Sequence, residues 1–248
     1  TGSFGPISDG VVVAVQPDGI VYGGIEPDMV PEIVEEHLVK GRPVSKYILP
    51  QQYPLPAPGA VDARHTQYQG RIVLDNCGRI DPESLNEYIA ADGYEALGRV
   101  LAEMSPADVV ETVKASGLRG RGGAGFPTGL KWGLTAREEA DQKYVVCNAD
   151  EGDPGAFMDR SILEGDPHSL IEAMAICGYA IGANQGYVYV RAEYPLAIQR
   201  LQKAIDDARE LGLLGDNLFE SGFCFDLEIR MGAGAFVCGE ETALMHSI

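Results

Sequence analysis

Basic residues are scarce in this 248-residue chain: 19 Lys and Arg stand against 37 Asp and Glu, a formal net charge of −18. So acidic a surface cannot supply the cluster of phosphate contacts that a nucleic acid or an anionic membrane demands. Long apolar runs are missing too. None reaches the roughly 18–20 residues needed to span a bilayer, and the most apolar stretch, 170–183, is interrupted by Glu172. No basic segment followed by an apolar core opens the chain, so no secretory leader is expected. Cysteines number five (Cys77, Cys147, Cys177, Cys224 and Cys238), with wide spacings and no CxxC pair. This excludes a disulfide framework and the usual zinc or iron–sulfur spacings, and it suits a reducing cytoplasm.

Glycine, by contrast, is concentrated. The segment Gly117–Trp132, GLRGRGGAGFPTGLKW, holds six glycines, two arginines and one lysine. Glycine lets a ligand approach main-chain N–H groups closely, and bare N–H groups at a helix start attract anions. Together with Lys131, Arg119 and Arg121 the segment reads as a cradle for a phosphate-bearing cofactor. The alternative is a flexible glycine loop without a ligand. The segment lacks the GK[ST] ending of a Walker loop. It also follows a helix-like stretch, SPADVVETVKAS, where a dinucleotide fingerprint would follow a strand.

Around it the pattern alternates. Residues 11–48 read as a small ββα unit: strands at Val11–Val15 and from Ile20, a turn at Pro17-Asp18-Gly19, and a helix over Met29–Lys40 stopped by Gly41. A Pro-rich linker spans 49–70. A short strand is expected at Arg71–Leu74, then helices near 82–91, 94–104 and 107–115. Beyond the glycine loop, strands are expected at Lys143–Cys147, Gly186–Arg191 and Phe223–Met231. Helices are expected from Asp166 to about Ala183, over Tyr194–Leu211, and from Glu240. The β-α-β-α-β order predicts an α/β fold with a largely parallel sheet.

In such folds ligands bind at the carboxyl ends of the strands. Two segments there are chemically loaded: NADEGDPG (148–155) and GAGAFVCGEE (232–241). Their acids read in one of two ways, as helix N-caps or as acceptors for ribose hydroxyls and polar ring edges. On the second reading Asn148, Asp150, Glu151 and Glu241 meet the ligand, and a carboxylate beside the ribose disfavours a 2′-phosphate. Phe126 reads as a stacking platform or as a core anchor. Trp132 reads as packing, and His168, in the first turn of a helix, as a structural hydrogen-bonder rather than a base.

The segments RIVLDNCGRIDPESLNEYIA, SGLRGRGGAGFPTGLKW, NADEGDPGAFMDRSILEGDPHSLIEAM, YVYVRAEYP and GAGAFVCGEETALM occur in one order. In them the chain resembles the FMN- and NADH-binding, 51-kilodalton-type subunits of respiratory complex I. It also resembles the beta subunits of soluble NAD-linked iron hydrogenases and formate dehydrogenases. The resemblance covers roughly 65–248. It implies an atypical Rossmann-like FMN-binding domain over 71–248, incomplete at its C-terminal end, preceded at 1–48 by the remnant of a thioredoxin-like ferredoxin module. Ser3 and Ser8 stand where that module's cluster cysteines would lie.

The implied activity is NADH:acceptor oxidoreduction (a diaphorase): hydride passes between NAD(H) and bound FMN, and electrons then pass singly to iron–sulfur subunits of a redox complex. No side-chain nucleophile or base is required. A structural subunit that keeps the fold without flavin is the rival reading. By resemblance, Gly120, Gly122, Gly123, Lys131, Asn148, Asp150, Glu151, Gly239, Glu240 and Glu241 contact the cofactor. Phe126, Asp153, Phe236 and Glu241 contact NADH. Leu134 stands where an aromatic flanks the adenine, and Asp153 where complex I carries Glu. The family's [4Fe–4S] cysteines are expected beyond residue 248.

Overall fold

A computed structural model describes residues 11–15, 18–49, 71–153 and 155–248. The linker 50–70, Ser3, Ser8, Pro17 and Pro154 lie outside these described residues. The chain divides into two units, one within Gly2–Arg79 and one over Ile80–Ile248.

In the first unit, β1 (Val13–Val15) and β2 (Ile20–Tyr22) form an antiparallel hairpin in which Val13 faces Tyr22. A helix follows, α1 (Val30–Ile33), which widens into π-helical turns over Val34–Val39. This matches the expected ββα order. The apolar faces meet in a core of Val15, Tyr22, Ile25, Ile33 and Val44. Buried His37 bridges it, with Nδ1 2.7 Å from the Tyr22 hydroxyl and Nε2 2.9 Å from Asp18. The strand expected at Arg71–Leu74 does not form. That segment is a succession of turns (Cys77 N–H to Leu74 C=O, Arg79 N–H to Asn76 C=O), and Ile72 is 88% exposed. Two β-favouring residues, Ile72 and Val73, without a partner strand have no ladder to complete.

The second unit starts with short helices α2 (Leu85–Ala90), α3 (Glu95–Glu103) and α4 (Pro106–Ala115). Ser84 caps α2, and α4 opens with a reciprocal Ser105–Asp108 capping box. The glycine-rich segment leads into α5 (Thr128–Arg137). Then come β3 (Tyr144–Ala149), α6 (Met158–Gly165), α7 (Pro167–Ile181), β4 (Gln185–Arg191), α8 (Pro195–Glu210), β5 (Asp226–Gly232) and α9 (Glu241–Ser247). The three strands are parallel in the order β3-β4-β5, with Val146 beside Tyr187 and Tyr187 beside Glu228. This is the α/β architecture that the alternation predicts. Helices α5 and α6 are additions to the sequence reading. Among the described residues no helix is long and apolar enough to cross a membrane.

The sheet's inner face (Val145, Ala149, Val188, Val190, Leu227) packs on Ile171, Met174 and Ala175 of α7 and on Leu201 and Ile205 of α8. Glu172, on the apolar α7, is only 8% exposed. Its carboxylate accepts from the Tyr88 hydroxyl (2.6 Å) and from the N–H groups of Tyr94 (2.9 Å) and Leu97 (3.0 Å). It therefore caps α3, whose own N-cap residue, Tyr94, offers no capping group. His168 stacks on Tyr88 and contacts the Tyr94 hydroxyl at 3.0 Å; burial lowers its pKa to about 4. It is a structural histidine, as the sequence suggests.

Candidate functional site

The glycine-rich segment is a closed hairpin between two helices. Gly120 N–H donates to Phe126 C=O (2.9 Å) and Thr128 N–H to Leu118 C=O (2.9 Å), and Arg119 Nη1 reaches the Gly125 carbonyl at 2.9 Å. Gly123, at φ +101°, turns the tip in a conformation closed to side-chain-bearing residues. The hairpin feeds directly into α5, whose N-cap, Pro127, contributes no side-chain acceptor. Thr128 N–H is already spent on Leu118 C=O, so of the first-turn amides of α5 those of Gly129 and Leu130 have no side-chain cap. Gly129 allows the close crossing of α4 and α5, since a Cβ there would lie 2.4 Å from Lys114 N. Phe126 is 48% exposed, which excludes the core-anchor reading. Trp132 packs against the core.

The strand-end segments are laced together by side chains. Asn148 Nδ2 donates to Gly239 C=O at 2.7 Å, and its Oδ1 accepts from Asp150 N–H at 3.2 Å. Asp150 is 7% exposed, and its Oδ2 has no hydrogen-bond partner among the described residues. Burial raises its pKa; nearby Arg191 pulls it back and Glu193 opposes that. Packing around this carboxylate is tight: a Cβ on Gly232 would sit 2.9 Å from the Tyr189 ring and 3.2 Å from Asp150 Oδ1, and one on Gly239 3.2 Å from the Asp150 carbonyl.

Of the acids singled out by sequence, two serve as helix caps here. The Glu151 carboxylate accepts from the N–H groups of Met158 (2.7 Å), Asp159 (3.1 Å) and Arg160 (3.3 Å), at the start of α6. Glu240 accepts from Ala243 N–H at 3.0 Å and caps α9. Glu241 instead projects outward, 78% exposed, with Oε2 4.0 Å from Lys131 Nζ. That contact brings α5 and the start of α9 to one site. Asp153 is exposed. Phe236 is 68% exposed, and its ring lies against Gly152, where a Cβ would be 2.8 Å from Phe236 Cδ2. Asn148, Asp150 and Gly239 are thus in mutual contact. Lys131 pairs with Glu241, and Phe236 joins the loop after β3. Gly120, Gly122, Gly123 and Phe126 belong to the hairpin.

Sequence reading passed over the end of β4. Arg191 Nη1 donates to the Glu151 carbonyl (2.7 Å) and Nη2 to Glu193 Oε1 (2.9 Å). Buried Tyr194 places its hydroxyl 3.3–3.4 Å from the carbonyls of Ala156 and Glu151. The signal was there: an Arg and a Glu at the carboxyl end of the central strand of a parallel sheet.

A glycine hairpin running into a helix start, beside acidic and amide side chains at the ends of parallel strands, is the arrangement expected of a nucleotide-cofactor-binding α/β domain. The family model described as Nuo51 FMN-binding domain matches residues 113–248, more than half of the chain. The chain belongs to that family. It is 71% identical over 180 residues to the NADP-reducing hydrogenase subunit HndC of Solidesulfovibrio fructosivorans, covering 73% of this chain and 36% of that one. Over 168 residues it is 47% identical to an NADH-quinone oxidoreductase subunit of Escherichia coli, covering 67% of this chain and 38% of the relative. Its fold is similar to that of an NAD+-reducing [NiFe]-hydrogenase in the air-oxidized state (TM-score 0.56, 28% identity, 93% of this chain and 35% of that one). The chain therefore spans between a third and two fifths of the length of these proteins.

Proposed function

We propose that this chain binds FMN and, beside it, a nicotinamide dinucleotide, as the hydride-exchanging part of a multi-subunit redox complex. The observation that carries the reading is the unpartnered Asp150 Oδ2, buried between β3 and the turn after β5 next to Gly232 and Gly239. A buried carboxylate oxygen without a donor is costly, and a cofactor hydroxyl would satisfy it. The rest of the residue set fits FMN as well. Amides at the start of α5, with Lys131, would hold the phosphate. Gly120, Gly122, Gly123 and Gly239 leave room for close approach, and Asn148 fixes the wall behind. Flavin, when bound, accepts a hydride and releases electrons one at a time.

Phe126 and Phe236 offer exposed rings on which a base or nicotinamide can stack. Asp153 and Glu241 would accept from ribose hydroxyls, whereas the carboxylates of Glu151 and Glu240 set the helices that frame the site. Acidic groups at the ribose favour NAD(H) over NADP(H) by repelling a 2′-phosphate. The relative named as NADP-reducing makes that preference a direct test: equal rates with NADH and NADPH would defeat it. Iron–sulfur subunits would receive the electrons, and five widely spaced cysteines with no CxxC pair suit a cytoplasmic setting. The deciding experiment is to purify the natural protein, denature it and identify the released flavin by absorbance and mass. One FMN per chain is expected, and none even after reconstitution with excess FMN would refute the reading.

A further inference from the structure

We propose that Arg191 is a positioning residue that sets the loop after β3, and Phe236 with it, for the dinucleotide; this rests on the functional reading above. Its side chain is 18% exposed, and its two terminal nitrogens are spent on different segments, the main chain at Glu151 and the Glu193 carboxylate. A guanidinium is a rigid planar fork, so the two bonds fix each other's geometry. Each partner passes the constraint on. The residue after Glu151 is Gly152, against which the Phe236 ring lies. Glu193 reaches the turn that carries that ring: a Cβ on Gly234 would be 2.8 Å from Glu193 Oε1.

One cation thus fixes both the surface under Phe236 and the turn that carries it. The other groups facing it are Asp150, which Arg191 stabilises in its charged form, and Tyr194, whose ring centroid is 5.8 Å from the guanidinium carbon. The Tyr194 hydroxyl shares the Glu151 carbonyl, and Arg160 stacks over the same ring at 5.5 Å. Arg191 needs no contact with either ligand to act. Lysine could keep the charge but not the fork.

The test compares Arg191→Gln and Arg191→Lys with the wild-type protein, in the flavin-loaded and flavin-free forms. Because small displacements of a binding surface weaken binding steeply, Arg191→Gln is expected to raise KM for the dinucleotide about tenfold with kcat within about twofold. FMN stoichiometry should stay unchanged. In the flavin-free protein, amide hydrogen exchange should quicken in peptides covering 151–160 and 233–239 and stay unchanged across β3, β4 and β5. Arg191→Lys should fall between Gln and wild type in both readouts. Unchanged KM with unchanged exchange would overturn the proposal, as would faster exchange throughout the sheet with loss of flavin. If the wild type itself holds no FMN, the functional reading fails, and the exchange pattern alone then decides whether Arg191 positions the two segments.

Discussion

Glu151 and Glu241 are both acids at strand ends and read alike in the sequence, yet removing them should have opposite consequences. The Glu151 carboxylate receives three main-chain N–H groups at the start of α6, at 2.7, 3.1 and 3.3 Å. Losing an N-cap acceptor costs about 1 kcal/mol, within a range of about 0.5–2. Losing a negative charge at a helix N-terminus adds about 0.3–1 kcal/mol. Water can reach the partly exposed helix start, so no full penalty for unsatisfied donors applies. Glu151→Ala is therefore expected to destabilise the protein by about 2 kcal/mol. At about 2–4 °C per kcal/mol for a domain of this size, Tm should fall by about 4–8 °C. Glu151→Gln keeps an acceptor but not the charge and should lose about half as much. Glu241 has only the 4.0 Å approach to Lys131 in an exposed setting, so Glu241→Ala should cost under about 1 kcal/mol while weakening dinucleotide binding. Urea and thermal unfolding followed by far-UV circular dichroism, with a dinucleotide titration on each variant, separates the two. If Glu151→Ala unfolds with the wild-type midpoint yet binds dinucleotide tenfold more weakly, the carboxylate serves the ligand and the capping argument is wrong.

Two further expectations follow from packing and from charge. Gly129→Ala places a methyl 2.4 Å from the Lys114 main chain, so α4 and α5 must part; a loss of about 1–3 kcal/mol or more is expected. The hairpin slung between those helices should then retain FMN poorly. A variant with wild-type Tm and flavin content would show that the crossing is looser than described. Asp159 has its pKa raised to about 6, chiefly by burial and secondarily by Glu151. The folded state therefore holds this proton more tightly than the unfolded chain, and the stability it confers at low pH is lost as pH rises from about 4 through 6. His168 acts in the opposite sense over part of the same window, because its lowered pKa removes stability as pH falls. The difference between wild type and Asp159→Asn isolates the Asp159 contribution: equal stability at pH 4, a more stable variant at pH 7.5. Parallel curves across the range would refute it.

The sheet was legible because its strands carry β-favouring runs, YVV and YVYV, bounded by polar turns, although Tyr144 and Val146 of the first run are exposed. Helices α3, α4, α7 and α8 were legible from their residue patterns, and α7 also from its Asp166-Pro167 start. Helix α5, TGLKWGLTAR, was not, because two glycines dilute its propensity and its apolar residues Leu130 and Leu134 face outward. Its reason to be helical is the backbone contact with α4, which is a tertiary fact. Helix α6 was hidden because its N-cap position, Phe157, supplies no side-chain cap. In the structure Asp166, at φ −157°, separates it from α7. The cap of α6 comes from Glu151, seven residues before its start, where no local capping pattern reaches. The same limit applied to α3, which is capped by Glu172 from another helix. At the site, the residue types and the segments that carry them were legible. Which carboxylates remain open to a ligand was not, because that depends on which ones the helix starts have already taken.

The bond from Asn148 to the Gly239 carbonyl joins positions 91 residues apart, and this sets a timetable for biogenesis. At ribosomal speeds of about 5–20 residues per second, the partner of Asn148 is synthesised about 5–20 s after Asn148 itself. In that interval β3 can pair with β4 and the hairpin can close on α5, but the wall behind Asp150 cannot form. Until then the β3–β4 pair and the hairpin can be in place, and on the function proposed above flavin could be captured only once Gly239 has emerged.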